Sequence, residues 1–277
     1  MFFYKLKIFF LRVLGYEKPL RVGLLKYLTL RFKTFRPYYE TILLESVLEA
    51  KELGYKKVSV LELGVAGGNG IITLEKYKKK IEKLTNIQIE IYGFDTGDGL
   101  PQIDNRYDLP FIWSTGDYKN DKQELEKRIT SKIFYGDIKD TFEDFIKTDP
   151  EKIVSIFIDL DLYTSTKKFL NQLQKFKHYL SPRVYCYFDD VFHPSHYINE
   201  HNGELLAIKE FNDENTDIKI GKSVSSFYDF KFPTGTEGLF MMHNFFHKDY
   251  FKKLGSHSNF RNSLSLKDKS VKKIFDF

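Results

Sequence analysis

Four aspartates follow two apolar stretches of the sequence, and carboxylates delivered in this way could bind a cation or act as a base. Asp159 and Asp161 end the run "VSIFIDLD", and Asp189 and Asp190 end "VYCYFDD". Apolar runs of this kind predict buried strands, whose carboxyl ends would present the acids at one edge of a sheet. Carboxylates that converge in a partly dry cleft repel each other, and a hard divalent cation such as Mg²⁺ relieves that repulsion.

Strand geometry predicts which of these acids point to the same side of the sheet. Side chains alternate along a strand, so Asp159 and Asp161 are predicted to point to the same side. By the same rule, only one of Asp189 and Asp190 joins them if its strand runs straight.

His193 follows shortly after the second pair, and its imidazole has a resting pKa suited to a base. A loop histidine that faces solvent is the other interpretation of His193.

Four glycines after an earlier apolar run indicate a site where the backbone approaches a ligand. The stretch "LELGVAGGNGIITLEKY" carries Gly64, Gly67, Gly68 and Gly70 between a predicted strand and a predicted helix. The first turn of such a helix offers free N–H groups to a ligand. The spacing does not match the G-x-G-x-x-G pattern of dinucleotide sites, and no G-K-[ST] ending indicates a phosphate-binding P-loop.

From Val58 onwards, short apolar runs alternate with helix-like stretches, which is typical of a parallel sheet with crossover helices. A late strand at 237–246 is predicted to pair antiparallel with the segment near 217–230. Ser165 or Thr166 is predicted to cap the helix after the fourth strand. The predicted strands before these lie at 57–64, 87–95, 131–137, 152–161 and 183–191, and the predicted helices at 70–86, 141–147, 165–180 and 203–212.

The glycine turn resembles the first motif of class I S-adenosylmethionine-dependent methyltransferases. The pattern E-x-G-x-x-x-G occurs as Glu62, Gly64 and Gly68. The resemblance implies a Rossmann-like α/β fold, in which a mostly parallel seven-stranded sheet carries helices on both faces. It also implies that S-adenosylmethionine binds to these three residues and to three acids at strand ends. These acids are Asp95 on the ribose hydroxyls, Asp137 near the adenine amino group, and Asp159.

Three further stretches resemble the macrocin O-methyltransferase-like (TylF-type) group, which methylates sugar hydroxyls with Mg²⁺. They are "FDTGDGLP" (94–101), "DLDLYTST" (159–166) and "YFDDV" (187–191). This likeness implies methyl transfer, assisted by Mg²⁺, to a hydroxyl of a sugar, a glycan or another small molecule. It also implies Asp161 as the base and a set of three metal ligands, namely Asp161, Asp189 and Asp190.

Two other interpretations stay open at this point. A metal-independent methyltransferase acting on oxygen or nitrogen would use the acids to bind the cofactor or the acceptor. A non-catalytic nucleotide-binding protein would share the fold without the reaction. The segment 96–130 is long for a connection after a strand and is predicted to form a lid. Its Trp113 is interpreted either as a core residue or as a stacking surface for the acceptor.

The chain of 277 residues is predicted to hold one main domain with two extensions. Residues 1–55 are expected to form a helical extension, 56–250 the S-adenosylmethionine-binding domain, and 251–277 a basic tail. The N-terminal stretch "MFFYKLKIFFLRVLGY" is too short and too charged to span a bilayer, and it lacks a small-residue cleavage site. It is expected to pack on the domain or on the second subunit of a homodimer, with weak contact to a membrane surface as the alternative.

The composition argues against a nucleic-acid partner and for a reducing compartment. The net charge is +5, and the basic residues are scattered among nearly as many acids. The single cysteine, Cys186, lies in an apolar run, so we expect a buried thiol and no disulfide framework within the chain. These features predict a cytoplasmic protein that acts on a small-molecule acceptor.

Overall fold

The computed structural model describes residues 36–192, 196–223 and 238–254. The chain divides into two compact units, of which Tyr38–Tyr250 carries the architecture given below. The candidate base His193, the sequence before residue 36 and the tail after residue 254 lie outside the described residues. Among the helices of the described ranges, none is both long and apolar enough to cross a membrane.

Seven strands form one sheet with the order β3-β2-β1-β4-β5-β7-β6. The pairs from β3 through to β5 are parallel, whereas β7 runs antiparallel to both β5 and β6. The mostly parallel seven-stranded sheet expected from the sequence is therefore confirmed. The strands are β1 Lys57–Leu63, β2 Gln88–Asp95, β3 Lys132–Tyr135, β4 Ile153–Ile158, β5 Leu180–Phe188, β6 Ile218–Lys222 and β7 Leu239–Asn244.

Helices connect the strands and cover the sheet. Gly68 precedes α2 in a left-handed conformation, and Asn86 ends it in the same conformation with its N–H bonded to Glu82 O. Short 3₁₀ turns occupy Arg106–Asp108 and Lys177–Tyr179. The α-helices are α1 Pro37–Leu53, α2 Asn69–Thr85, α3 Lys122–Glu126, α4 Ile138–Ile146, α5 Tyr163–Lys175 and α6 Gly203–Glu214.

Helix α5 begins two residues before the predicted boundary, so the capping role given to Ser165 or Thr166 is wrong. Leu162 occupies the N-cap position and has no side-chain oxygen to offer. A distant residue supplies the cap instead, because Asp108 accepts hydrogen bonds from the Thr164 N–H and hydroxyl, both at 2.7 Å. A cap from another segment leaves no local sequence signal, which is why the pattern around Ser165 was misleading.

The ends of β4 and β5 are level with each other in the sheet. Ile158 pairs with Phe188, so the residues that follow them, Asp159 and Asp189, leave the sheet side by side. Strand β4 stops at Ile158 and does not continue to Asp161 as predicted. All six residues of β4 are buried, which is typical of a parallel strand covered on both faces. Cys186 is buried in β5 as expected, and burial raises the pKa of its thiol.

Aromatic rings fill the core on the side of the sheet covered by α4 and α5. The Phe142 ring lies 5.6 Å from Phe169, 5.7 Å from Phe145 and 6.0 Å from Phe94, measured between ring centroids. Edge-to-face and tilted contacts of this kind add to the stabilisation that comes from burying the rings. The cluster joins two helices to β2, close to the strand ends that carry the acids.

Replacing Phe142 by alanine should lower the free energy of unfolding by about 3–5 kcal/mol, because a fully buried ring leaves a cavity among neighbours that cannot collapse. The matched control is Phe246→Ala, whose ring is 78% exposed and should change stability by about 0.5 kcal/mol or less. Urea denaturation followed by circular dichroism measures both. Equal losses in the two variants would contradict the assignment of the core.

Candidate active site

The glycine turn between β1 and α2 adopts a conformation that only small residues permit. Gly64 and Gly68 have φ values of 79° and 85°, in the left-handed region that side chains disfavour. A Cβ atom on Gly64 would lie 1.7 Å from the backbone oxygen of Asp159. A Cβ atom on Gly70 would lie 1.7 Å from Glu62 Oε1, while Gly67 has open space around it. The turn therefore packs against the acidic edge on one side and leaves room on the other.

Glu62 lies beneath this turn. It is almost completely buried on β1, and its Oε1 accepts a hydrogen bond of 3.4 Å from the hydroxyl of Tyr39 on α1. The first helix of the described chain therefore reaches the glycine turn through a side chain. The sequence assigned Glu62 to the site but gave no indication that Tyr39 contacts it.

Asp95 holds the glycine turn from the neighbouring strand. Its Oδ2 accepts the N–H groups of Val65 and Ala66 at 2.9 and 2.8 Å. Its Oδ1 accepts from the Gly97 N–H at 2.6 Å and from Asn120 Nδ2 at 3.1 Å. Four bonds use the lone-pair directions of one carboxylate, so Asp95 holds together the glycine turn, the start of the 96–130 segment and a later point of that segment, Asn120.

Asp137 lies at the carboxyl end of β3, as predicted, and also begins α4. Its side chain accepts from the Lys139 N–H at 2.9 Å as an N-cap and from Lys168 Nζ at 2.7 Å. Partial burial opposes ionisation, but these donors outweigh it and hold the pKa of Asp137 below its usual range. Asp137 is thus an exposed acid at the same edge as Asp95.

Three aspartates converge beyond β4 and β5. Asp159, Asp161 and Asp190 each place a carboxylate oxygen within 4.8 Å of the others. Asp161 reaches the group through a tight turn, in which the Leu162 N–H donates to Leu160 O at 2.6 Å and Asp161 has φ 60°. A non-glycine residue in that region is strained, and such strain persists where the surroundings fix the conformation. Asp159 and Asp161 do lie together, but the turn and not strand alternation is the reason.

Of the second pair, Asp190 joins the group and Asp189 does not. Asp190 Oδ2 accepts the Asp161 N–H at 3.2 Å, which links the two acidic loops directly. Asp189 instead lies near the hydroxyl of Tyr187, and burial together with the charge of Asp189 raises the pKa of Tyr187. The group thus includes one member of the second pair, but β5 ends at Phe188, so the strand alternation on which that prediction depended does not extend to these residues.

A fifth acid, Glu204 on α6, lies behind this group and was missed in the sequence. It is fully buried, and its two oxygens face the N–H groups of Leu160 at 3.4 Å and Asp190 at 3.3 Å. Burial, with Asp159 and Asp161 nearby, raises the pKa of Glu204 well above its usual value. The sequence predicted a helix at 203–212 but gave no role to Glu204, so only the contact with the acidic loops identifies this residue.

The comparisons with known proteins concern the fold. No protein-family model matches this chain, and no curated protein matches it. The solved structure of CalS11, a calicheamicin methyltransferase, is 19% identical over 86% of this chain and 91% of its own, with a TM-score of 0.53. The O-methyltransferase NovP is 14% identical over 74% of this chain and 80% of its own, with a TM-score of 0.48.

An O-methyltransferase from Bacillus cereus, solved in complex with SAH, is 14% identical over 80% of this chain and 87% of its own, with a TM-score of 0.38. At such identities a likeness shows the fold alone, and the likeness to CalS11 together with the strand order decides it. The chain has the class I methyltransferase fold. The fold expected from the glycine turn is therefore confirmed.

In this methyltransferase fold the segment 96–130 is held over the acidic edge by specific contacts. Asp108, which caps α5, anchors its middle, and Asn120 anchors its end on Asp95. Leu100 exchanges backbone hydrogen bonds with a turn later in the segment, donating to Asp117 O and accepting from the Gly116 N–H. The segment is thus a folded wall of the site, and the lid role that its length predicted stays a prediction.

Two aromatic residues of this wall lie close together. The ring of Trp113 is half-buried and lies 6.1 Å from the ring of Tyr118, which is 55% exposed. Burial raises the pKa of the Tyr118 hydroxyl to about 12, with further contributions from Asp161, Asp190 and Asp159. Tyr118 therefore lies within electrostatic reach of the acidic group, and the sequence did not single it out.

Gly64→Ala should lower the free energy of unfolding by about 2 kcal/mol or more, because its Cβ would overlap Asp159 O and its φ is left-handed. Gly67→Ala in the same turn is the matched control, since its Cβ meets nothing and its φ is ordinary. Chemical denaturation of both variants tests this. A Gly67 variant as unstable as the Gly64 variant would argue against the steric explanation.

The metal-free protein should lose stability as the pH rises from about 4 towards about 8. Burial, followed by the charges of Asp159 and Asp189, raises the pKa of Asp161 to about 8. Burial and neighbouring acids also raise the pKa of Asp190. A group whose pKa is raised by folding stabilises the folded protein at low pH, and this stabilisation is lost as the group ionises. The loss is about 1.4 kcal/mol per unit of pKa shift, up to a few kcal/mol here. Thermal unfolding in EDTA across this range measures the loss.

Asp161→Asn is the comparison for this measurement, because the amide cannot ionise and has nearly the same shape. The melting temperature of the variant should fall less over the same pH range than that of the unmodified protein. Parallel curves for the two proteins would show that the acidic group is not the source of the pH dependence.

Proposed function

We propose that this protein is an S-adenosylmethionine-dependent O-methyltransferase that methylates a hydroxyl of a sugar or another small molecule, with assistance from Mg²⁺ and an aspartate base. The observation that carries the proposal is the convergence of Asp159, Asp161 and Asp190 directly against the glycine turn of a class I methyltransferase fold. A group of carboxylates in that position joins a place for a cation to a place for the methyl donor.

The donor set of the acidic group fits a hard divalent cation. All three side chains offer carboxylate oxygens, which suit Mg²⁺ and Mn²⁺ better than softer metals. Their mutual repulsion at such short separations needs a positive charge or bound protons to offset it. We propose Asp159, Asp161 and Asp190 as the metal ligands. Asp189, which the resemblance implied as a ligand, lies near Tyr187 and is not included. A bound cation would polarise the acceptor hydroxyl and lower its pKa.

The residues around the glycine turn fit the cofactor. Gly64, Gly68 and Glu62 shape a turn whose open side, at Gly67, leaves the backbone accessible. S-adenosylmethionine supplies an activated methyl group on a sulfonium. Asp95 supports the proposed cofactor site by holding the glycine turn, and its contact with the ribose hydroxyls stays a prediction from the resemblance. Asp137, at the end of β3, is the residue we propose for the adenine end. The task left to the chain is to align donor and acceptor, which accounts for much of the rate in such transfers.

Asp161 is the proposed base. Its strained turn projects the carboxylate into the group, and its backbone N–H is fixed by Asp190. The carboxylate can therefore receive the proton of an acceptor hydroxyl without first reorganising. His193 stays a second candidate from the sequence alone. The wall carrying Trp113 and Tyr118 provides aromatic surface for a ring-shaped acceptor.

A metal-independent reaction is the second candidate, and one observation favours it. The raised pKa values of Asp161, Asp190 and Glu204 mean that bound protons alone can relieve the repulsion within the group. The acids would then hold the acceptor by hydrogen bonds. A homodimeric assembly and a cytoplasmic location stay predictions from the sequence.

Asp161→Asn should reduce methyl transfer by at least about 100-fold, because it removes both the base and one metal ligand. Binding of S-adenosylhomocysteine, measured by calorimetry, should change by less than about threefold, since the glycine turn is left intact. Activity can be followed by release of S-adenosylhomocysteine from a panel of glycosides and phenols. Adding EDTA and then Mg²⁺ to the unmodified protein should abolish and restore turnover.

Three outcomes separate the candidates. Full activity in EDTA with loss in the Asp161 variant would favour the metal-independent reaction. Full activity in both would exclude the acidic group from catalysis. A protein that fails to bind S-adenosylhomocysteine at all would overturn the proposed cofactor.

A further inference from the structure

Glu204 is positioned to join the two acidic loops from behind. It is the second residue of α6, is fully buried, and spans the gap between the loop after β4 and the loop after β5. Its Oε1 accepts from the Leu160 N–H at 3.4 Å, and its Oε2 from the Asp190 N–H at 3.3 Å. Those two amides lie next to the acids of the proposed metal site, one residue from Asp159 and within Asp190 itself.

Both oxygens of Glu204 face the main chain, so the carboxylate is oriented away from a ligand role. Within the described residues, the group whose oxygens lie within 4.8 Å of one another consists of Asp159, Asp161 and Asp190, without Glu204. A buried acid beside other acids is unfavourable unless its oxygens are hydrogen-bonded. The two hydrogen bonds that the oxygens of Glu204 accept therefore explain why a carboxylate is tolerated at this buried position.

We propose that Glu204 is a positioning residue that sets the separation of the two metal-binding loops by holding the amides of Leu160 and Asp190. The inference rests on the proposed metal-dependent function. The bond from Asp161 N–H to Asp190 Oδ2 continues the link, so Glu204, Asp190 and Asp161 form one connected chain across both loops. We call the two bonds from Glu204 to these amides the clamp. Without the clamp, the loops keep their acids but lose their fixed spacing.

The test uses three variants of the full chain and Mn²⁺ as a spectroscopic probe of the Mg²⁺ site. Glu204→Gln keeps the shape and one acceptor oxygen but sets an NH₂ group against the other amide. Glu204→Ala removes both acceptors. Glu214→Gln is the control, because Glu214 lies on the same helix with 55% of its side chain exposed and forms an ion pair with Lys167 at 3.5 Å, away from the acidic loops. Free Mn²⁺ is counted by electron paramagnetic resonance.

Glu204→Ala should weaken Mn²⁺ binding about 10-fold or more, as substitutions of residues that orient metal ligands commonly do. Glu204→Gln should fall between this variant and the unmodified protein, and Glu214→Gln should bind like the unmodified protein. S-adenosylhomocysteine affinity should stay within about twofold in all three, because the two amides that Glu204 holds, those of Leu160 and Asp190, do not belong to the glycine turn. The metal-free melting temperature of Glu204→Gln should not decrease, because the substitution removes an acid from a crowded group.

This combination distinguishes positioning from general support of the fold. Unchanged Mn²⁺ affinity in folded Glu204→Ala and Glu204→Gln proteins would overturn the inference and leave the proposed function intact. Parallel losses of Mn²⁺ affinity, S-adenosylhomocysteine affinity and melting temperature would overturn it in favour of a purely structural role. Absence of Mn²⁺ binding in the unmodified protein would overturn the metal-dependent function and the inference with it.

Discussion

Repulsion among carboxylates at the shared end of β4 and β5 is the constraint on which the rest of the site depends. The register that places Ile158 opposite Phe188 brings both acidic loops out of the sheet at one level. Helix α6 then adds Glu204 from behind, and the glycine turn closes the group from the side of β1. Each of these elements is arranged around charges that water only partly screens, so the balance of protons and cations there decides both stability and chemistry.

The contacts around this edge connect the two halves of the proposed reaction. Gly64 packs against the backbone of Asp159, so the turn that would face the methyl donor touches the loop that would face the acceptor. Asp95 extends the connection to the 96–130 segment through Asn120. The donor side, the acidic group and the acceptor wall are therefore parts of one hydrogen-bonded and packed arrangement. Precise alignment of three atoms in methyl transfer requires such rigidity.

The sequence predicted the features that depend on local pattern and missed those that depend on distant contacts. The apolar runs gave the parallel strands and the strand-end acids, because burial on both faces and the position of an acid after a strand are visible along the chain. The cap of α5 was misassigned because Asp108 lies far from Thr164 in the sequence. Glu204, Tyr118 and Tyr39 join the site through tertiary packing, and no spacing along the chain announces them. Asp161 lies beside Asp159 as predicted, but the cause is the tight turn between Leu160 and Leu162 and not the alternation of side chains along a strand.

The cap that Asp108 gives to α5 also limits how the 96–130 segment can move, and hence how an acceptor of the proposed reaction would enter. If the whole 96–130 segment swung outward, the Thr164 N–H and hydroxyl would lose their partner, at a cost of about 1 kcal/mol or more. Movements confined to the exposed rim of the segment, where Phe111 is 67% exposed, leave that anchor in place. Entry and exit of the acceptor in the proposed reaction would thus be favoured at the rim, while the middle of the segment stays bonded to the helix it caps.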